Sequence, residues 1–592
     1  MTRLPVAPGC RILWLVEVEF AAGVVRMSTE DVDVDGADGA IYRFHGVLPE
    51  LDVTEALSQV GGVQDAPSLS FAAVWPVDVP ALVAAGHALA WCRATVSRWV
   101  EGSTYEARRR IIVGRVNNPE YGAWDEPTSC TIELPQWAGA GRVPATGAIV
   151  TGETWVDGIL SLPIESLGKS YPEVFGNPGR VSTSIAATGR VAGSRARWGD
   201  LRSGDDGANQ TNIRAVIAGQ HVDVERVYVT TSDGGTALRL IVRNGFDDLG
   251  QPIAFLPWFY TSTPAGAAPE STWDGAYDPY TYGPFADFDA ADSYALGAGS
   301  LPTGFNEPPP DIAPFDELFI VWHDDEDAAR GGLPGDAGSV IEHLLQRSGL
   351  PVDYGRMSAA KQRLFRFRLD FAIDESCTAW DFIKSQLLPI LPISLVAGPD
   401  GVYAVVWPYG DTPSGSVEHF DVDNDPTISR ASLVTSDTSR IANEFVFKYA
   451  KNRRTDSFAG RRTIGAKTWS AAAPTTHPNA RCIASQRRYR NWDGTAYVVQ
   501  MALESGLVYA DATSDAVCAW LADAYCFAER AVEYLVDEVR VAHVEIGHDV
   551  TVTDTEVGLT AAECFVESLR FDGSGVVLMR LQLTGETERA RG

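Results

Sequence analysis

The sequence predicts a mainly β, multidomain protein with an α+β insert and a barrel-like β unit at each end. Three observations lead there. Short apolar runs rich in Val, Ile and aromatic residues alternate with polar positions toward both ends of the chain, punctuated by Gly, Asp and Pro. Helical periodicity concentrates between 331 and 430 and in one segment near the C-terminal end. A length of 592 residues with 45% apolar content is enough for several separately packed cores.

Residues 1–150 form the first β unit. Its strands are "RILWLVEVEF", "VVRMS", "AIYRFHGVL", "LSFAAVW", "ALAWCRATVSRWV", "EARRRIIVGRV" and "CTIEL". Many short strands separated by turn residues are the pattern of a barrel or sandwich. One short helix, "DVPALVAAG", begins where Asp78 and Pro80 suit a helix start. The stretch "DVDVDGADGAIY" at 31–42 admits two readings. A calcium loop of the EF-hand type needs oxygen ligands at positions 1, 3 and 5, Gly at 6 and a bidentate Glu at 12. Asp31, Asp33, Asp35 and Gly36 fit, but Tyr42 stands where the last carboxylate belongs, and no helical pattern precedes the loop. A hairpin explains more. Val32 and Val34 share one face, the aspartates take the other, and Asp38-Gly39 supplies the turn.

Residues 151–330 form a β-rich middle domain with strands such as "HVDVERVYVTT" and "ALRLIVRNG". It carries a Gly/Pro/Asp tract at 257–314 dense in aromatics, among them Trp258, Tyr260, Trp273, Tyr277, Tyr280 and Tyr282. Loops of this length are usually functional or ordered by a neighbour. Residues 331–430 turn α+β. Ser339 and Glu342 form a capping box before "VIEHLLQRSG", which Gly349 stops. A second helix, "CTAWDFIKSQLL", starts after Ser376 and ends at Pro389, and "ISLVAGPDGVYAVVW" reads as a hairpin about 398–401. Residues 431–592 form the second β unit. Its one helix spans 515–535, because Val517, Trp520, Leu521, Ala524, Ala528, Ala531 and Leu535 keep helical spacing.

The net charge of -30 argues against binding nucleic acid through phosphate contacts and against docking on anionic lipid. An acidic wall also lets a polyanion pass without sticking. The eight cysteines contain no C-x-x-C, are too sparse for a disulfide scaffold, and mostly sit in apolar patterns, as expected for assembly in a reducing cytoplasm. The apolar run near the N-terminus breaks at Glu17 and Glu19, unlike a signal peptide, and no stretch has the apolar length of a membrane span.

Chemical motifs are sparse. "PIESLGKS" at 163–170 ends like a phosphate-binding loop, but Pro163 replaces the required Gly and removes an N–H from the cradle. "HDDED" at 323–327 has oxygen ligands for a hard cation, although such charge runs are more often solvated loops. No G-x-S-x-G elbow occurs, and nothing selects a carboxylate pair for glycoside hydrolysis. No cofactor, metal or catalytic residue is therefore assigned. One stretch departs from the acidic mean. Lys448, Lys451, Arg453, Arg454, Arg461, Arg462, Lys467, Arg481, Arg487, Arg488 and Arg490 face the single acid Asp456. Such a patch meets either DNA or an acidic neighbouring subunit, and in a chain of this charge the subunit contact needs no special ligand.

Three segments carry a family resemblance. "GKSYPEVFG" at 168–176 resembles the Gly-Lys-x-x-Pro-x-x-aromatic-Gly segment of siphophage tail-tip proteins. "IANEFVFKYAKN" at 441–452 resembles the strand that opens the last hub domain. The helix at 515–535 followed by "VEIGHDVTVTD" is similar to the end of such chains. Together they resemble the tail-tip (baseplate) hub proteins of tailed phages and gene transfer agents. The resemblance implies a homotrimer without enzymatic activity, in which each subunit gives two barrel-like domains to a ring of six. It implies as partners a distal tail protein or tail tube protein, the tape-measure protein, and tip fibre or receptor-binding proteins, with DNA only in transit and no stable membrane insertion. It places the protein in the virion tail tip, assembled in the host cytoplasm. The aromatic tract has no counterpart in that resemblance.

Two rival readings stand beside the hub: a host-surface adhesin whose aromatic tract stacks on glycan, and a cell-wall hydrolase. For the segment at 31–42 the expected outcome is that calcium leaves the melting temperature unchanged in calorimetry. A calcium-dependent rise that disappears in Asp33→Ala would place a cation there.

Overall fold

The computed structural model describes residues 11–20, 23–49, 51, 53–57, 68–121, 126–133, 141–144, 168–186, 189–195, 197–203, 211–218, 224–229, 236–238, 243–246, 252–256, 318–322, 333–407, 417–433, 438–453, 455–465, 476–528, 530–571 and 575–583. The strands between 195 and 322 are described by their backbone alone. The chain is mainly β and multidomain, with an α+β insert.

The N-terminal unit comprises β1 (Ile12–Phe20), β2 (Gly23–Ser28), β3 (Val32–Asp35), β4 (Ile41–Gly46), β5 (Val53–Ala56), β6 (Ser68–Ala73), α1 (Val79–Ala84), β7 (Arg93–Val100), β8 (Arg109–Glu120) and β9 (Thr128–Glu133). All but β5 join one eight-stranded sheet in the order β3-β4-β2-β1-β7-β8-β9-β6, antiparallel except where β2 meets β4. Strand β1 is buried on both faces. Its Trp14, Val16, Val18 and Phe20 enter the main core, while Leu13 and Leu15 pack with Trp99 beneath the β3–β4 hairpin. The 31–42 segment is that hairpin: Val34 pairs with Tyr42, and its side chain is fully buried against Leu13 and Leu15. Asp31, Asp33 and Asp35 point out. Gly39, at φ +80°, closes the turn by donating its N–H to the Gly36 oxygen at 3.0 Å. The Tyr42 ring stacks on Tyr105 at 4.0 Å, which pins the hairpin to the sheet.

Next come β10 (Arg142–Val143), β11 (Glu173–Phe175) and β12–β19, eight short strands between 194 and 322 that form two four-stranded antiparallel sheets. The α+β part holds α2 (Ala337–Arg347), α3 (Tyr354–Arg363), β20 (Phe371–Ile373), β21 (Cys377–Thr378), α4 (Ala379–Phe382) running into a π turn at Ile383–Leu387, β22 (Ile393–Gly398) and β23 (Gly401–Val406). Strands β10 and β11 pair with β21 and β20. Most of the "GKSYPEVFG" segment, residues 170–175, is therefore core. Tyr171 and Phe175 are fully buried, and a Cβ on Gly176 would collide with Asp370 Oδ1, so the chain bends where only Gly fits. The two expected helices are present, with different caps. Asp336, not Ser339, caps α2, its Oδ1 accepting the Ser339 N–H at 2.8 Å. Thr378, not Ser376, caps α4. The β22–β23 hairpin and the Gly349 stop, at φ +78°, are as expected.

The C-terminal part comprises β24 (His419–Asp421), β25 (Ile428–Leu433), β26 (Glu444–Asn452), β27 (Ser457–Gly465), β28 (Thr476–Pro478), α5 (Ala480–Arg488), β29 (Gln500–Glu504), α6 (Asp511–Tyr525), β30 (Ala531–Asp537), β31 (Asp549–Asp554), β32 (Leu559–Phe571) and β33 (Val576–Leu583). The helix expected over 515–535 is wrong in its second half. It ends at Tyr525, and Ala531–Asp537 is a strand. Val532, Tyr534 and Val536 are fully buried while Leu535 is 40% exposed, so the two-residue alternation prevails over the helical spacing. The sheet runs β24-β31-β32-β33-β30-β25. Arg430 on β25 reaches Asp554 at the end of β31 through a two-pronged pair at 2.6 and 2.9 Å, drawing the margins of the sheet together into a barrel-like unit. Burial works to raise the pKa of Asp554, but hydrogen bonds from Arg430 and Tyr534 more than offset it and hold the pKa low.

Strand β5 leaves the N-terminal unit and joins the C-terminal sheet, Val53 pairing with Phe571 and Ala56 with Ser568. Beside this joint Arg98 of β7, 3% exposed, donates from Nε to Glu538 Oε1 at 2.7 Å and lies 4.1 Å from the centre of the Phe571 ring. Burial pulls the Arg98 pKa down to about 10, and Glu538 opposes the fall, so the guanidinium is charged at neutral pH. Arg109 adds bonds to Val544 O at 2.8 Å and Glu55 at 3.0 Å. Removing one member of a buried ion pair costs about 3–5 kcal/mol, because the other charge stays behind desolvated. Arg98→Met should therefore lower the unfolding free energy by that amount in urea titration. Arg98→Met with Glu538→Leu should recover most of it; equal losses in the single and double variants would show that the pair is not the cause.

Candidate interaction surface

The basic stretch folds into a four-stranded sheet in the order β28-β27-β26-β29, backed by α5 and α6. Strand β26 opens with alternating aromatics. Phe445, Phe447 and Tyr449 are buried, and the Tyr449 hydroxyl donates to Asp511 Oδ1 of α6 at 2.7 Å. Burial, then that carboxylate, raises the Tyr449 pKa to about 12, so the phenol stays protonated. Asn479 starts α5 by accepting the N–H groups of Arg481 and Cys482 at 3.0 and 3.1 Å. Behind the sheet Cys482 and Cys526 place their sulfurs 3.6 Å apart, which ties α5 to the end of α6.

The structure divides the cations into two groups. One group is held by partners within the chain. Lys448 pairs with Glu504 at 2.5 Å and Lys451 with Asp456 at 2.7 Å. Arg462 pairs with Asp515 and Arg481 with Asp523, both on α6. Arg453 is half-buried; its N–H donates to Ala192 O at 2.8 Å and its guanidinium to Ala372 O at 3.4 Å. These side chains fasten the sheet to its surroundings. The second group faces solvent: Arg461 on β27, Arg487 and Arg488 in the last turn of α5, and Arg490 just beyond. Arg461 and Arg487 have no side-chain partner among the described residues. Part of the cost of crowding Arg487 and Arg488 is offset by the helix dipole, which favours cations at a C-terminus. Arg454, Lys467, the aromatic tract with Trp258, Tyr260, Trp273, Tyr277, Tyr280 and Tyr282, and the "HDDED" run lie outside the described residues.

Sequence reasoning missed the turn that begins at the last arginine. The chain doubles back at 490–496, where Arg490 bridges to Ala496, Asn491 N–H donates to Thr495 O at 2.8 Å and Gly494 N–H to Asn491 O at 2.9 Å. The Arg490 guanidinium bonds the Gly494 oxygen at 2.9 Å. Trp492 projects from this braced turn at 99% exposure, and Tyr497 and Val498, just past the turn, are half-exposed. "NWDGT" carried the signal: an Asp-Gly turn with a bulky aromatic just before it.

No protein-family model matches the chain, and no curated protein matches it. Among solved structures it is similar to a tail protein from Neisseria meningitidis MC58, at 10% identity, 96% of each chain and a TM-score of 0.32. It is similar to the 43 kDa tail protein of prophage MuSo2 from Shewanella oneidensis, at 10% identity, 96% of each chain and a TM-score of 0.29. It is also similar to a chain in the virion of a native gene transfer agent particle, at 13% identity over 51% of this chain and 96% of that one, with a TM-score of 0.16.

The division of the cations is testable by stability. Arg461→Ala should leave the unfolding free energy from urea titration unchanged, within about 0.5 kcal/mol. Arg462→Ala should cost about 1 kcal/mol, since it strands part of the α6 contact. An equal loss in both variants would mean that Arg461 too is held inside the chain.

Proposed function

We propose that the protein is the structural hub of a phage tail tip or baseplate, a homotrimeric ring that joins a sixfold tail tube or distal tail protein to a threefold tip and lines the DNA ejection channel. One observation carries this reading. The two β units lie against each other, because β5 of the first completes the sheet of the second. A single chain thus offers two β units side by side, and three chains offer six, which is what a threefold part needs to meet a sixfold one. The segments with hub resemblance support it: 168–176 contains the buried strand β11, and 441–452 contains β26 of the sheet beside α5 and α6. The solvent-facing cations Arg461, Arg487 and Arg488 serve the contact between subunits, where an acidic chain must otherwise repel its copies.

On this reading the hub has no enzymatic role and no cofactor. Its partners are the tube or distal tail protein above, the tape-measure protein within, fibre or receptor-binding proteins below, and DNA in transit. The protein ends in the virion after assembly in the host cytoplasm. The aromatic tract at 257–314 favours a second reading, a glycan-binding adhesin of the tail.

Mass in solution tests the hub directly. Light scattering on the purified chain should give three times the monomer mass of 63.9 kDa, and a stable monomer would count decisively against the ring. Deleting 257–314 separates the two readings: an adhesin loses adsorption and still assembles, whereas a hub that uses the tract as an interface loses tails.

A further inference from the structure

We infer that subunits of this chain join head to tail, the Arg487–Trp492 turn of one copy seating on the β3–β4 hairpin of the next. The inference deepens the hub reading and rests on it, since it names the two surfaces that close the ring.

The first surface is built like a binding anchor. Trp492 is 99% exposed, yet its turn is braced by backbone bonds and by the Arg490 guanidinium, so little conformational freedom remains to be lost on docking. A rigid aromatic beside arginines is the composition of an interface hot spot. Exposed Arg487, Arg488 and Arg490 lead into it along the chain, with Asp493 the one acid in the turn, its carboxylate already accepting from Thr495.

The second surface is its electrostatic complement. The hairpin bears Asp31, Asp33, Asp35 and Asp38, all exposed, against Arg43. Asp33 and Asp35 have no side-chain partner among the described residues. Ile41, opposite Asp35 in the ladder, is 69% exposed, an apolar seat within an acidic rim. Strand β3 ends the eight-stranded sheet, and its edge charges also deter unwanted strand addition. That role alone leaves the exposed Ile41 unexplained. The hairpin is rigid as well, pinned by the Tyr42–Tyr105 stack and by the Ala37 N–H donating to Glu106 at 2.9 Å.

Two different complementary patches on one chain define a heterologous contact, and such contacts form rings when the rotation closes. A second copy is the occupant because this chain carries both halves. Guanidinium forks on carboxylates fix the register, and Trp492 on Ile41 supplies the dry centre.

The test is a charge swap on the full-length chain, read by light scattering across a concentration series, with melting temperatures to verify folding. Arg487→Glu with Arg488→Glu should raise the concentration at which the trimer half-dissociates at least tenfold, and so should Asp33→Arg with Asp35→Arg. Combining all four should restore the trimer. Trp492→Ala should weaken it at least tenfold without moving the melting temperature of the subunit. If the hairpin variant fails to fold, Trp492→Ala and the arginine reversals decide alone. A wild-type trimer indifferent to either reversal or to Trp492→Ala overturns this contact and leaves the hub reading standing. Loss without rescue in a folded four-site variant overturns the choice of the hairpin as seat. A wild-type monomer at every concentration overturns the contact and the hub together.

Discussion

The architecture depends on one joint, the pairing of β5 with β32 beside the buried Arg98–Glu538 contact. Strand β32 is 13 residues long, and no single neighbour covers its outer edge. Strand β31 takes its first half, and β5 takes the stretch from Ser568 to Phe571. Without β5 those backbone groups would be an open sheet edge. The ends of the chain are therefore held together by main-chain hydrogen bonds, by a desolvated ion pair and by the Trp14–Phe571 ring contact at 5.9 Å. Because closing a long loop costs only slightly more entropy than closing a short one, a joint spanning nearly the whole sequence is thermodynamically reasonable.

The α+β part stands beside this joint. Arg356 of α3 reaches Glu545 at 2.6 Å, and Arg110 of β8 pairs with Asp400 in the β22–β23 turn. Glu545 also lies 3.8 Å from Arg109, so one carboxylate serves arginines from two parts of the chain. Such shared charges couple the position of the insert to that of the sheets, because moving either strands a partly buried guanidinium.

The basic stretch shows how a charge run can mislead. Eleven cations in one segment look like a continuous surface, but a strand sends neighbouring side chains to opposite faces. Arg461 and Arg462 are adjacent in sequence, yet one meets solvent and the other Asp515 of α6. Apart from Arg461 on β27, the exposed remainder stands at the end of α5, just before a tryptophan that no charge count would have selected. Composition locates a patch, and the alternation of the backbone decides how much of it is surface.

Local chemistry in the sequence determined a good deal. The hairpin at 31–42, the Asp78-capped α1, the Gly349 stop, the β22–β23 turn and most strands of the first unit were legible because each rests on neighbouring residues: a turn pair, a cap, a period of two. The sequence was ambiguous where two local signals competed. At 531–537 helical and strand spacings coexist, and only the burial of Val532, Tyr534 and Val536 against the sheet resolved them. Helices α3 and α5 went unread because their apolar faces are weak and their caps, Asp353 and Asn479, resemble ordinary turn residues. Tertiary structure alone decided that β5 belongs to the far sheet, that Arg98 finds Glu538, and which arginines remain outside. Those outcomes depend on residues tens to hundreds of positions apart, and hydrophobic pattern carries no information about which partner a strand edge or a buried charge will meet.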